Sequence, residues 1–429
     1  MSRPRGFADL VGRRVGIYGV GIEGRAALAR LQSLGVAVVL VDDAPSSDDV
    51  LPTGDGGRAA LLACDVVLKS PGIPKRSELV GVLQDHGVVV ASALNLWLGD
   101  MDPRRVIGVT GTKGKSTTTS LITFALNAVG QRARAVGNIG VAPYDPSITD
   151  DGGYYVLEMS SFQCVDLETA PGTIVVTSLG SDHLDWHGSL EDYHRDKLSV
   201  TRLPGAHHTV VADAPELRAA AALLGGDVTY VAPDQSDLRD ALHLLGDHSR
   251  SNLALTLTVV ADVTGLPLHD VRAAVAANAG RFVPLEGRLT LVDTIDGVRF
   301  VDDGLATSVL PVLAALDVFA DEPLSLIVGG FDRGVDYDDL ADAIAQRSAP
   351  TFVTTLGPAG TRIGLLLEER GVSATACATV ADAVTASAQA RHDGGVVLLS
   401  PGAPSFDAYE NWKARSDDFA RCVRAWRGR

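Results

Sequence analysis

The sequence predicts an α/β protein of three domains built on doubly wound, mostly parallel sheets. Three observations carry this. Short β-branched runs (Arg14–Tyr18, Ala37–Asp42, Asp65–Lys69) alternate with Ala/Leu-rich stretches such as Gly24–Gly35, which reads as a helix. Glycine-rich turns follow two of the strands, the usual start of a βα unit. Two Gly/Pro-containing joints, Gly99–Arg105 and Ala277–Gly287, each precede a fresh strand, Val106–Thr110 and Leu289–Asp293. The expected domains are therefore 1–103, 104–284 and 285–429, and 429 residues are too many for one ordinary core.

Composition narrows the function classes. With 37 basic and 53 acidic residues the formal charge is −16, so the surface as a whole repels nucleic acid and anionic lipid. Any anion site must be local. Apolar runs such as Val36–Val41 are strand-length, well short of the ~18 residues of a membrane span. Met1-Ser-Arg-Pro-Arg leads into no apolar h-region, and the four cysteines are far apart in sequence. These features predict a cytoplasmic protein with reduced thiols and no membrane partner.

In the first domain, Gly19-Val-Gly-Ile-Glu-Gly follows a strand and Asp42 ends the next one. Glycines here let the backbone approach a pyrophosphate at a helix N-terminus, with an acid about twenty residues on. Gly19, Gly21 and Asp42 are the candidate residues. The pattern serves NAD or any other pyrophosphate ligand, and the spacing alone does not choose.

The middle domain carries the strongest signal, Val106-Ile-Gly-Val-Thr-Gly-Thr-Lys-Gly-Lys-Ser-Thr. A strand runs into a turn, and Ser116 is expected to open a helix reaching Ala128. Backbone amides of Gly111, Thr112, Lys113, Gly114 and Thr117 can face a phosphate, Lys115 supplies charge, and the Ser116 hydroxyl can ligate Mg²⁺. Val109 stands where the general pattern has its first glycine. Downstream, the strand from Tyr154 ends in Glu158, followed by Ser160-Ser161-Phe-Gln. The segment Ser181-Asp-His-Leu-Asp-Trp-His through Lys197 is dense in His and Asp. A transition-metal site and a solvated polar loop are both open on composition, although no matching Cys and no H-x-x-x-H pair on a clear helix supports zinc.

These motifs, taken together, resemble the Mur ligases and, in the phosphate loop, the related folylpolyglutamate synthetases. The run Glu-x-Ser-Ser-Phe-Gln, then Asp-His-Leu-Asp-x-His and Tyr-x-x-x-Lys, is similar to the members that add glutamate to a UDP-muramoyl-alanine. The resemblance implies a Rossmann-like N-terminal domain, a central P-loop domain of ATPase type and a Rossmann-like C-terminal domain. It also implies ATP and two Mg²⁺ ions, with Lys115, His183 and Lys197 in catalytic roles. Ser116, Glu158, His183 and Lys197 (the last as a carbamate) would hold metal. Asn138 and Ser160 would touch substrate, and Asn252 would read adenine. The first domain would hold the uridine diphosphate, with Ser70 in Ser-Pro-Gly-Ile contributing. UDP-N-acetylmuramoyl-L-alanine and glutamate would be the substrates of a cytoplasmic, monomeric enzyme of peptidoglycan synthesis, and so of cell-wall growth and division.

In the last domain the resemblance places Arg288 and Asp303 at the nucleotide, and Thr307, Arg333, Ser405 and Trp412 around glutamate. This chain departs from the D-glutamate-adding pattern: Gly287-Arg288 replaces His-Arg, and Leu305 and Arg333 replace lysines. Arginine offers a planar fork where lysine is a point charge. These segments look more like a branch that adds L-glutamate, which a partner epimerase later inverts. A D-glutamate ligase, a folylpolyglutamate synthetase and a non-catalytic nucleotide-binding regulator are the alternatives. Ser178, four residues before Asp182-His183, stands where the family often has Asn.

Overall fold

A computed structural model of the chain describes residues 2–45, 47–391 and 393–426. Three sheets form the frame. The first contains Val15–Tyr18 (β1), Val38–Asp42 (β2), Leu51–Pro52 (β3), Val66–Lys69 (β4) and Val89–Ala91 (β5), in the order β3-β2-β1-β4-β5. The second contains Val106–Thr110 (β6), Ala133–Gly137 (β7), Tyr154–Glu158 (β8), Thr173–Val176 (β9), His208–Ala212 (β10) and Asp227–Val231 (β11), in the order β11-β10-β9-β6-β8-β7. The third contains Thr290–Ile295 (β12), Val298–Asp302 (β13), Leu324–Gly329 (β14), Thr351–Leu356 (β15), Ala374–Cys377 (β16) and Gly395–Leu399 (β17), in the order β12-β13-β17-β14-β15-β16. Every pairing is parallel except β12 with β13.

The strands that carry sites are apolar runs because helices cover both faces. All four residues of β1 and of β4, and all five of β6, are buried. Burying one such Val, Leu or Ile side chain stabilises the fold by roughly 1.5–3 kcal/mol. In each sheet the chain reverses its winding next to a central strand, between β1 and β4 in the first. Loops at the carboxyl ends of strands on either side of such a point splay apart and leave a crevice.

Contacts gather the chain into two compact units: Met1–Ser236 with Arg250–Ala279, and Asp237–Ser249 with Gly280–Arg429. The first two sheets share the first unit and the third sheet belongs to the second. The segment Asp237–Ser249 packs with the second unit, where Leu245 lies against the core around Val312, Phe319 and Leu326. Among the described residues no single helix is long and apolar enough to cross a membrane.

Candidate functional site

β6 delivers the chain into the turn Gly111–Gly114, and helix Lys115–Ala128 follows directly. Gly111 has φ +143° and Gly114 φ +85°, conformations that side chains resist. Space forbids them too: a Cβ would lie 2.1 Å from Thr177 Oγ1 at Gly111 and 2.7 Å from Asn252 Oδ1 at Gly114. The Ser178 hydroxyl accepts from the Lys113 amide (2.8 Å) and lies 3.0 Å from the Lys113 carbonyl, so this serine fixes the turn. Thr112 Oγ1 accepts from the Gly180 amide (2.9 Å) and meets the Tyr193 hydroxyl at 3.0 Å. Ser116 is buried and Thr117 follows it in the first turn of the helix.

Two ammonium groups converge on one carbonyl. Lys115 Nζ donates to Gly111 O (3.0 Å) and Thr112 O (3.1 Å), and Lys197 Nζ donates to the same Gly111 O at 3.0 Å. Lys197 lies on helix Leu190–Leu198, is 2% exposed and sits over the Tyr193 ring. Burial, and after it the Lys115 charge, pulls its pKa down to about 7. In a chain of formal charge −16, two cations meet at the N-terminus of a 14-residue helix, whose dipole adds positive potential. The combination is an anion cradle.

Around it lie polar atoms with capacity to spare. Glu158, at the end of β8, accepts from Asn138 Nδ2 at 2.8 Å through Oε1, while its buried Oε2 has no partner among the described residues. Asn252 Nδ2, on helix His248–Thr264 beside Gly114, is also buried without a partner. Ser160 caps helix Ser161–Asp166 reciprocally with Gln163. His183 has φ +50°, is half exposed and leans on the Phe162 ring. Among the described residues no group of three or more His, Cys, Asp or Glu is arranged to hold a metal ion.

The His/Asp-rich segment divides on folding. His187 is buried, its Nε2 2.9 Å from Ser161 Oγ and its Nδ1 2.7 Å from Asp196 Oδ2. With Ser161 also buried, this chain of bonds ties helix Ser161–Asp166 to the helix bearing Lys197. Both ring nitrogens of His187 are therefore committed, whereas the His183 imidazole is half exposed.

The first sheet presents a second crevice on the same unit. The Ser70 amide donates to Tyr18 O (2.8 Å), which brings Ser70 beside Gly19, and Gly21 starts helix Ile22–Ser33. Asp42 spends its oxygens on the amides of Val20 (2.6 Å) and Ala44 (2.9 Å), clamping the glycine turn. A cleft of about 160 Å³ lies between Ile22, Glu23, Asn138, Pro143, Tyr144 and Gln163. Sequence reasoning missed Glu23, which accepts from Gln163 Nε2 (2.7 Å) and the Tyr144 hydroxyl (3.1 Å). Burial pushes its carboxyl pKa up. Its only sequence signal is an acid inside a glycine fingerprint.

In the second unit the loops after β13, β14 and β17 gather the remaining candidates. Asp303 accepts from the Ser400 hydroxyl at 2.7 Å and from the Leu289 amide, next to exposed Arg288. Gly287, at φ +68°, leaves room for Trp412: a Cβ there would lie 2.6 Å from Trp412 Cζ3. Ser405 Oγ is buried without a partner. Arg333 is exposed over the Phe406 ring, and Thr307 is half-buried in the Asp303–Ser308 turn.

Asp303 gives a pH prediction. Burial pushes its pKa from 3.8 to about 7. Between those values the folded chain holds a proton that the unfolded chain has lost, so stability falls as pH rises through that window. Asp303→Asn removes the titration. It should raise the melting temperature at pH 7.5 by about 3 °C or more, with the gain gone near pH 4. Melting curves across pH check this; a gain independent of pH counts against it.

Three doubly wound sheets, the middle one opening on a phosphate-loop cradle, define an α/β nucleotide-binding protein. Residues 109–256 match the family model described as the Mur ligase middle domain. The chain is 40% identical to the UDP-N-acetylmuramoyl-L-alanine–L-glutamate ligase of Salinispora tropica, across 97% of this chain and 99% of that protein. It is 36% identical to the protein of the same name from Xanthomonas euvesicatoria pv. vesicatoria, across 97% and 96%. Among solved structures, UDP-N-acetylmuramate–alanine ligase MurC from Thermotoga maritima shares the fold with a TM-score of 0.56 at 18% identity, over 96% of this chain and 99% of that one. The MurF ligase from Thermotoga maritima, solved in complex with ADP, gives 0.55 at 15% identity, over 97% and 99%. The chain belongs to the Mur ligase family.

Proposed function

We propose that this chain is an ATP-dependent, ADP-forming ligase that joins L-glutamate to the alanine carboxylate of UDP-N-acetylmuramoyl-L-alanine, a step of peptidoglycan precursor synthesis. The observation that carries the reading is the convergence of Lys115 and Lys197 on Gly111 O at a helix N-terminus. Lys115 brings the charge that a polyphosphate neutralises, and its nearness, after burial, lowers the pKa of Lys197 so that this amine can lose its proton and take up CO₂. The names of the relatives at 36–40% identity supply the substrate class.

In the first step an oxygen of the alanine carboxylate attacks the γ-phosphorus of ATP, forming an acyl phosphate and releasing ADP. The glutamate amine then adds to the acyl carbon, the tetrahedral intermediate expels phosphate, and the amine gives up a proton. No protein nucleophile is needed, so positioning and charge stabilisation do the work. Lys115 and the amides of Gly111–Thr117 orient the phosphates, and Asn252, buried beside the turn with an unused Nδ2, takes the adenine. Arg288 and Asp303 are the C-terminal domain's own candidates for nucleotide contact.

Ser116, Glu158 and His183, with Lys197 as a carbamate, offer the oxygen and imidazole donors that would hold two Mg²⁺ ions. The orphaned Glu158 Oε2 fits this assignment. Bound Mg²⁺ supplies charge neutralisation at the phosphates. A carbamate forms on a neutral amine, and a lysine drawn down to about 7 has a large neutral fraction at neutral pH.

Asn138 lines the cleft beside Ile22 and Gln163; Gly19, Gly21, Ser70 and Ser160 are the other candidate substrate contacts, with Asp42 holding the glycine turn that would receive the uridine diphosphate. Thr307, Arg333, Ser405 and Trp412 form the glutamate pocket. The functional parts divide as 1–103, 104–284 and 285–429. The enzyme works as a cytoplasmic monomer, with an epimerase downstream to invert the added glutamate.

The test is the mass of the product after incubation with UDP-N-acetylmuramoyl-L-alanine, ATP, Mg²⁺ and L-glutamate. The expected result is one glutamyl residue added per phosphate released. No glutamate-dependent phosphate release would sink the assignment.

A further inference from the structure

Arg415 is 2% exposed and ranks first by size among the fully buried side chains. It lies in the first turn of helix Trp412–Ala425, where a cation opposes the helix dipole. Helix stability therefore does not explain it. Every hydrogen bond of its guanidinium goes to a backbone carbonyl: Gly304 (3.3 Å), Gly329 (3.3 Å), Ala403 (3.0 Å) and Pro404 (3.3 Å). Burial draws its pKa down to about 10, so it stays charged at neutral pH.

Gly304 O lies in the loop after β13, Ala403 O and Pro404 O lie in the loop after β17, and Gly329 O ends β14 where the third loop begins. β17 pairs with both β13 and β14, so these loops leave adjacent strands of one sheet. The loops are also sewn to one another: the Phe331 amide donates to Pro404 O (2.8 Å) and the Gly402 amide to Ala306 O (2.8 Å). Each loop carries a residue of the proposed amino-acid pocket within four positions of a clamped carbonyl: Thr307 after Gly304, Arg333 after Gly329 and Ser405 after Pro404. A planar fork with five donors can hold carbonyls arriving from three directions, whereas an ammonium cannot span them.

We propose that Arg415 is the positioning residue that preforms the glutamate pocket, by holding the three loops of Thr307, Arg333 and Ser405 in register before the amino acid arrives. The proposal rests on the glutamate-ligase reading above. Buried Ser405 Oγ, one residue beyond the clamped Pro404, has no partner and is available to a ligand. A misplacement of about 1 Å in such loops costs up to about 100-fold in turnover.

The experiment compares wild type with Arg415→Lys, which keeps the charge and loses the fork. Each Michaelis constant is measured separately, and amide hydrogen exchange is followed without glutamate. The expected result is a rise of about tenfold or more in KM for glutamate, with KM for ATP and for the UDP-sugar within about twofold. Exchange at Phe331 and Gly402 should speed up while the amides of β14 and β17 stay protected. A glutamate KM that does not move, or three constants that rise together, overturns the proposal. If the variant does not fold, wild type alone decides: slow exchange at Phe331 and Gly402 without glutamate supports a preformed pocket, and open-loop rates overturn it. Should wild type ignore glutamate altogether, the reading of the pocket fails while the exchange data still report on the clamp.

Discussion

Replacing Lys115 with alanine is expected to lower glutamate-dependent phosphate release by on the order of 10³-fold. The side chain reaches back over the turn to Gly111 O and Thr112 O, which places its charge at the mouth of helix Lys115–Ala128. No other group replaces it there. Lys197 shares Gly111 O with it, but is buried and drawn down to about 7, partly by Lys115 itself. Alanine at the first helical position should cost the fold little, since it relieves a cation at a helix N-terminus and favours helix. The measurement is phosphate release beside a melting curve. A variant that melts normally but has lost turnover supports the assignment; one that retains turnover within about tenfold refutes it.

What could be read from the sequence depended on whether its cause was local. β6 lies at Val106–Thr110, as expected, because a strand buried on both faces must be a continuous apolar run. The first helix was expected at Gly24–Gly35 and lies at Ile22–Ser33. Its N-cap is Gly21, with no side-chain cap bond, so nothing in the text marks the start. The helix after the phosphate loop begins one residue early, at Lys115, for a related reason: its N-cap is Gly114. Asp237–Ser249 reads as part of a continuous central stretch, yet it packs with the second unit. Leu242 and Leu244 are buried there, and an apolar residue in a sequence does not say in which core it will lie.

The candidate site follows the same division. The phosphate turn, Glu158 and the Asp182-His183 pair were legible because their chemistry is contiguous in sequence. Ser400 and Arg415 were not. Their partners are Asp303 and Gly329, 97 and 86 positions away. The His187–Ser161 bond shows the converse case, a histidine whose sequence setting suggests metal and whose folded setting makes it a tie between helices.

The second large effect concerns the hand of glutamate. Product should form with L-glutamate and fall by about 100-fold or more in kcat/KM with the D isomer, equivalent to about 2.7 kcal/mol. Mirror exchange at Cα cannot keep amine, α-carboxylate and side-chain carboxylate in place together. With the amine fixed for attack, one carboxylate must leave its partner, and an unpaired charge in a desolvated pocket carries a penalty of this order. The walls of the proposed glutamate pocket would be set by backbone. Trp412 fills the space beside Gly287 where any larger residue would collide, and Leu305 N donates to Gly287 O (3.1 Å), so that wall is fixed before binding. Arg333 is exposed above Phe406 and offers a fork to a carboxylate. Because the walls rather than one side chain would set the hand, Leu305→Lys should lower turnover with L-glutamate without creating turnover with D-glutamate. Parallel assays with each isomer decide. Equal turnover of the two by wild type would show that Trp412 and Arg333 do not select the hand. A switch to D-glutamate in Leu305→Lys would move the selectivity from the walls to position 305.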